Sequence, residues 1–183
     1  MKTNRLTEKI TAALNQQITN EALASQIYLA YASWADNQGF SGIAKFLFRH
    51  AHEERNHMMK LLEYILKRGA KVKISTIPAP GPNPADIHNC FEKVFQQEVI
   101  NTNAIYKLVK MSLDAEDWAT FNFMQYFVKE QTEEETLAIS ILDKLKISGG
   151  AKAGSDVLYV LDKDLGNATG DMKSAEDATT ENP

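Results

Sequence analysis

Within the stretch FRHAHEERNHMMKLLEYILKRG, residues 48–69, a carboxylate and an imidazole stand one helical turn apart at Glu54 and His57. Steps of three and four through Leu47, Ala51, Glu54, Met58, Leu61 and Ile65 trace the stripe that a helix turns toward a bundle core. Glu54 interrupts that stripe, and His57 lies on its flank. Three further stripes are interrupted in the same way: Ile10, Leu14, Gln17, Glu21, Ala24, Tyr28 and Tyr31; Phe91, Val94, Glu98, Asn101, Ile105 and Leu108; and Met124, Phe127, Gln131, Glu134, Ala138, Ile141 and Leu145. A buried carboxylate is very costly unless it is paired, protonated or bound to a metal. No lysine or arginine occurs in the four stripes, so Glu21, Glu54, Glu98 and Glu134 would repel one another unless a cation neutralised them. Carboxylate oxygens with one imidazole and no thiolate suit iron or manganese, with zinc admitted on affinity.

The spacing also sets the heights of these groups. In an antiparallel hairpin, residues equidistant from the turn face each other. Glu21 and Glu54 are equidistant from a point between residues 37 and 38, inside the turn-like DNQG. Glu98 and Gln131 are equidistant from a point between 114 and 115, inside LDAED. The interval is 33 residues in both cases, and a step of three follows, to His57 and to Glu134. The two halves thus read E…ExxH and E…QxxE, and polar groups from four helices are expected at one level.

Four long helices are legible to carry them, over residues 6–35, 42–68, 84–113 and 117–147, with Ser41 as the expected N-cap of the second. Gly39, Gly42 and Gly69 act as breakers, and SDVLYVLDKDLG reads as a short fifth helix. Short connections make helices one and two, and three and four, antiparallel pairs. Between the pairs lies AKVKISTIPAPGPNPAD, with four of the five prolines. A link of roughly 15 residues spans about 50 Å when extended, and a helix of about 28 residues is about 42 Å long. The link can therefore return along the whole bundle. The expected fold is all-α, a four-helix bundle with one long crossover and a short fifth C-terminal helix, an arrangement described as ferritin-like. The expected division is a bundle domain over 1–165 and a polar, disordered tail over 166–183.

Composition narrows the function classes. The chain has 183 residues, 44% of them hydrophobic and 24% charged, with a net charge of -4. No basic block stands out, which argues against nucleic-acid or anionic-membrane binding. The single cysteine, Cys90, fits a reducing compartment and is read as inert. The start, MKTNRLTEKITAALNQQ, has charges but no continuous apolar segment, so neither an export signal nor a membrane span is expected. A cytoplasmic protein follows as the expectation. His50, His52 and His88 have no matching partner set in the sequence and are read as surface or intersubunit residues. Met58 and Met59 are read as packing.

NQQITNEALASQIYLA, FLFRHAHEERNHM, FNFMQYFVKEQTEEETLAISILDKL and LYVLDKDL together resemble the non-haem ferritins, most closely the bacterial type, over about residues 6–165. The resemblance implies an iron-storage and ferroxidase subunit that oxidises Fe(II) with dioxygen or hydrogen peroxide. It further implies a homo-oligomeric cage of 24 subunits with ferric mineral inside. Under it, Glu21 and His57 hold one iron, Glu54 bridges, Glu98 and Glu134 hold the second, and Gln131 is a nearby amide that holds a water or peroxide. Tyr28 resembles the tyrosine beside this centre, though its spacing suits core packing equally. A third iron position would use Glu53, Glu130 and Glu133, with Glu134 shared. Without the resemblance, KEQTEEE reads as a solvated helix face. Asp114, Glu116 and Asp117 would line an entry channel or simply cap a helix.

Some features depart from related families. Arg55 follows Glu54, and the helix-four pair is Gln131 and Glu134 rather than a second ExxH, so no haem is expected. Tyr126 stands where the bacterial type has a tryptophan near the centre. The alternatives are a soluble di-iron oxidase acting on an organic substrate or peroxide, and a metal-free helical module.

Overall fold

In the computed structural model, which describes residues 4–168, five α-helices and one short 3-10 turn account for the regular structure. They are α1 (Glu8–Asn37), α2 (Ser41–Lys67), α3 (Ile87–Asp114), α4 (Trp118–Ile147) and α5 (Ser155–Asn167), with the 3-10 turn at Gly150–Lys152. No strand occurs among the described residues. The all-α bundle expected from the stripes is the observed fold. No helix among the described residues is long and apolar enough to cross a membrane.

Local chemistry sets the helix starts. The Thr7 hydroxyl accepts from Ile10 N at 3.2 Å, Asp86 from Asn89 N at 2.8 Å, and Asp117 from Thr120 N at 3.1 Å. Each satisfies one of the free N–H groups of a first turn, an effect worth about 1 kcal/mol. These caps explain two boundary differences. Helix α1 begins at Glu8 rather than residue 6, and α3 begins at Ile87 rather than Pro84, because Thr7 and Asp86 hold the capping positions.

Helix α2 departs from expectation more sharply. Ser41 is its first helical residue rather than its N-cap, and Phe40 at the capping position offers no side-chain oxygen. The cap comes from far along the chain: Asp162 of α5 accepts from Ile43 N at 2.8 Å. In return Arg49 Nη2 of α2 donates to Leu165 O at 2.8 Å. Helix α5 is thus fastened to α2 at both ends of its contact and extends to Asn167, two residues into the expected tail. The expectation for 169–183 falls outside the described residues.

The α1–α2 turn is tight, with Gly39 at φ 88, a left-handed conformation that glycine adopts without steric cost. Helix α1 packs along α2, α3 along α4, α1 also meets α3, and α5 sits on α2. Residues 68–86 cross between the pairs without helix or strand. Asn15 clips this crossover to α1, donating to Lys71 O at 3.1 Å and accepting from Lys73 N at 2.6 Å.

Two apolar clusters fill the interior. One includes Tyr28, Ala35, Ile43, Leu47, Phe91, Val94, Ile141 and Leu145. The other includes Ile10, Leu14, Leu61, Ile65, Ile105, Leu108, Met124 and Phe127. The sequence positions between them on all four helices belong to Gln17, Glu21, Glu54, His57, Glu98, Asn101 and Gln131, every one buried. The apolar clusters exclude water from both sides of this polar level.

Candidate metal centre

At the polar level, ligand atoms of Glu21 on α1 and of Glu54 and His57 on α2 all lie within 4.8 Å of one another. All three residues are buried, Glu21 completely so. His57 Nδ1 stands 3.6 Å from Glu54 Oε2, and neither atom has a hydrogen-bond partner. A buried polar atom without a partner costs about 1–3 kcal/mol, more when charged. Two such atoms facing a third donor are what a bound cation would satisfy, so the donor set fits a metal ion.

The second half of the level is organised differently. Glu98 Oε1 accepts from the Tyr28 hydroxyl, and Glu98 Oε2 accepts from Gln131 Nε2 at 3.1 Å. Gln131 Nε2 also reaches Glu98 O at 3.3 Å and Thr102 Oγ1 at 3.2 Å. Amides also brace Glu21, whose Oε1 accepts from Gln17 at 2.8 Å and whose Oε2 accepts from Asn101 at 3.1 Å. Asn101 in turn reaches Gln131 Oε1 at 3.4 Å and accepts from Gln17, closing a network across α1, α3 and α4. The sequence stripes contained Gln17 and Asn101 as polar interruptions; their role in orienting Glu21 appears only once the helices are assembled.

The proton affinities follow from this crowding. Burial, followed by the charges of Glu21 and Glu98, pushes the Glu54 carboxyl well above its usual range. Burial, followed by Glu134, pushes Glu98 up to about 7, against the opposing hydrogen bonds from Tyr28 and Gln131. Burial and then Glu98 raise the Tyr28 phenol. Carboxylates held this close bind protons or cations far more readily than separate ones.

The remaining expected residues divide. Glu134 is half-buried and lies 3.3 Å from His50 Nδ1 rather than in the Glu21 group. Glu53 forms one candidate group with His57 and Glu130, and a second with His50 and Glu134. His57 Nε2 and Glu130 Oε2 are 3.9 Å apart. Glu133 points away: its side chain is 63% exposed, it lies 3.4 Å from Lys129 Nζ, and it belongs to neither group. Tyr126 places its hydroxyl 3.5 Å from His57 Nε2, with Lys60 Nζ 3.9 Å above its ring. Burial and the charge of Glu130 raise its phenol.

Two of the bland expectations need correction. His50 is neither a surface residue nor partnerless: its side chain is 12% exposed and faces Glu134 and Glu53. Burial works to lower its pKa, but hydrogen bonding to Glu134 and the charges of Glu134 and Glu53 raise it overall. The missed signal was the run His50, Glu53 and His57 at steps of three and four, a second polar stripe beside the core stripe. Met59 is exposed rather than packed, whereas Met58 lies against the core. His52 is exposed, and His88 lies 3.6 Å from Glu92. Cys90 is fully buried with its thiol pushed up to about 12, mainly by burial, which leaves it unreactive.

A family profile described as a ferritin-like domain matches residues 11–148, most of the bundle. The chain belongs to the ferritin-like family. Among its relatives is a probable bacterial non-heme ferritin-like protein of Haemophilus influenzae, 41% identical over 88% of this chain and 96% of that protein. A bacterial non-heme ferritin of Campylobacter jejuni is 36% identical over 88% of this chain and 95% of its own length. Among solved structures, an open-pore ferritin from the archaeon Archaeoglobus fulgidus superposes with a TM-score of 0.84 at 36% identity, covering 88% of this chain and 98% of that one. The ferritin-like reading of the four sequence stretches and of the bundle topology therefore holds.

Proposed function

We propose that this chain is a ferroxidase and iron-storage subunit, in which Fe²⁺ is the substrate and ferric mineral the cargo. One observation carries the reading: Glu54 Oε2 and His57 Nδ1 are buried without partners beside Glu21, inside a bundle whose relatives are named bacterial non-heme ferritins. Glu21 and His57 would hold one Fe²⁺, Glu98 and Glu134 a second, and Glu54 would span the two. Each Fe²⁺ gives up one electron. Two electrons and two protons convert one dioxygen to hydrogen peroxide, or one hydrogen peroxide to two waters.

The chain's own groups set the geometry and the charge. Gln17 and Asn101 fix the two oxygens of Glu21, and Tyr28 and Gln131 fix those of Glu98. Tyr28 is in this reading a positioning residue. Gln131 would present its amide to a water or peroxide beside the second iron. The raised proton affinities of Glu54 and Glu98 mean that entering Fe²⁺ displaces protons, and the carboxylates then compensate the ions' charge. Glu53, Glu130 and Glu133 are assigned to iron that has left the pair, with Glu133 the outermost. Assembly as a 24-subunit cage in the cytoplasm, filled with mineral, completes the proposal.

The test adds Fe²⁺ without oxygen to the apo-protein, then admits air while dioxygen uptake and near-ultraviolet absorbance are followed. Fast oxidation at two irons per chain is expected, with hundreds of further irons kept soluble. In Glu54→Ala and His57→Ala the rate should fall by at least about 100-fold, since loss of a supporting group one shell further out already costs about 10–100-fold. Wild-type rates in both variants would overturn the site. Two reacting irons with no further retention would instead make this a soluble di-iron oxidase.

A further inference from the structure

The imidazole of His57 has two nitrogens, and only one of them is needed to hold an ion. Nδ1 is the buried atom without a hydrogen-bond partner, 3.6 Å from Glu54 Oε2. With an ion on Nδ1, the one remaining ring proton sits on Nε2. That nitrogen looks toward α4, where the Tyr126 hydroxyl is 3.5 Å away and Glu130 Oε2 is 3.9 Å away. We propose that Tyr126 is a positioning residue for the metal centre, its hydroxyl oxygen accepting from His57 Nε2. The contact fixes the tautomer and the ring plane that present Nδ1 to the ion. The inference rests on the metal-centre reading and assigns within it a residue that touches no ion itself.

Packing aims the hydroxyl. His57 and Lys60 stand one turn apart on α2, and both grip the Tyr126 ring. Lys60 Nζ lies 3.9 Å from its centroid, and the His57 ring meets it edge-on at 5.9 Å and 78°. Phe127 braces both partners, with its centroid 5.2 Å from Tyr126 and 5.6 Å from His57. A phenol oxygen can accept as well as donate, so it can take the Nε2 proton. Glu130 is too far to take that proton itself, but its charge favours an N–H on this side of the ring. A separation of 3.5 Å is the long end of a hydrogen bond. In the metal-free chain the phenol can also donate to a bare Nε2. An ion on Nδ1 removes that choice, and the contact should then close to about 2.8–3.0 Å. The competing arrangement is a tyrosine that only packs.

Co²⁺ separates the two, because its visible bands report the ligands around the ion without any need for iron oxidation. The Co²⁺ step that His57→Ala abolishes reports the ion on Nδ1. If the full-length wild-type chain shows no such step, the metal-centre reading and the role of Tyr126 are overturned together. Tyr126→Phe keeps the ring and removes only the hydroxyl. In it that step should weaken by about 10-fold, the low end for loss of a supporting partner, with its visible bands displaced. The metal-free variant should melt as the wild type does. Wild-type crystals soaked in Zn²⁺ should place the Tyr126 hydroxyl within about 3.0 Å of Nε2. Unchanged Co²⁺ affinity and bands in Tyr126→Phe would overturn the role of Tyr126 alone. A lowered melting temperature with unchanged bands, the mark of packing only, would do the same, as would a Zn²⁺-loaded structure in which Nε2 turns to Glu130.

Discussion

The two hairpins present the same positions with opposite strategies. In α1–α2, Glu54 and His57 keep unpartnered buried atoms aimed at a common point. In α3–α4, the residue matching Glu54 is Gln131, and its amide turns inward to satisfy Glu98 at 3.1 Å. One half waits for an ion, and the other holds itself together without one. A carboxylate and its amide differ by one charge and two donor hydrogens, and here that difference decides whether a position costs stability in the metal-free protein or contributes to it.

Making the halves alike should give the largest effect. Gln131→Glu removes the donor to Glu98 and adds a fourth buried carboxyl beside Glu21, Glu54 and Glu98, so the metal-free protein should lose about 3–5 kcal/mol at pH 8, the usual cost of an uncompensated buried charge. Zn²⁺ should restore much of it. Denaturant unfolding with and without Zn²⁺ checks this, and unchanged stability would show that the amide is not what steadies the second half.

Proton occupancy sharpens the comparison next. Glu54 and Glu98 have raised proton affinity when folded, so the folded chain binds more protons than the unfolded one. Their contribution is fully present below the unfolded value of about 4.5 and is lost as pH climbs through the folded value. For Glu98, rising from 4.5 to about 7, the loss amounts to about 3 kcal/mol by pH 8. Metal-free protein should therefore melt lower at pH 8 than at pH 5. Zn²⁺-loaded protein should show the reverse, because protons then compete with the ion. Parallel melting curves across this range would sink the account.

The smallest effect should come from the bracing amides. Asn101→Ala removes the donor to Glu21 Oε2 and should cost about 1–3 kcal/mol in the metal-free protein. Iron oxidation should slow by about 10-fold, the low end for a supporting group. A loss as large as that of Glu54→Ala would mean that Asn101 contacts the ion itself.

Much of this was legible because helical periodicity makes a buried carboxylate conspicuous. Glu21, Glu54, Glu98 and Gln131 each broke an apolar stripe, and the equal 33-residue intervals placed them opposite one another. The observed turns at residues 38–40 and 115–117 begin immediately after the expected midpoints. What escaped was of two kinds. His50 lies beside the stripe, in a local run with Glu53 and His57, but its partner Glu134 comes from another helix and no local pattern points to it. Asp162 caps α2 from α5, 119 residues away from Ile43, while Ser41 offered the local alternative. Local signals located the elements, and contacts between distant elements chose the cap and paired His50 with Glu134.

The fastening of α5 to α2 closes over Gly42 and Gly166. A methyl group on Gly42 would sit 1.8 Å from Asp162 O, and one on Gly166 would sit 2.8 Å from Gly42 Cα. Neither position can take even alanine unless the backbone opposite withdraws. Two residues 124 positions apart in the chain therefore behave as one unit of mutational tolerance, through which variation at the end of the protein is tied to the first turn of the helix that carries Glu54 and His57.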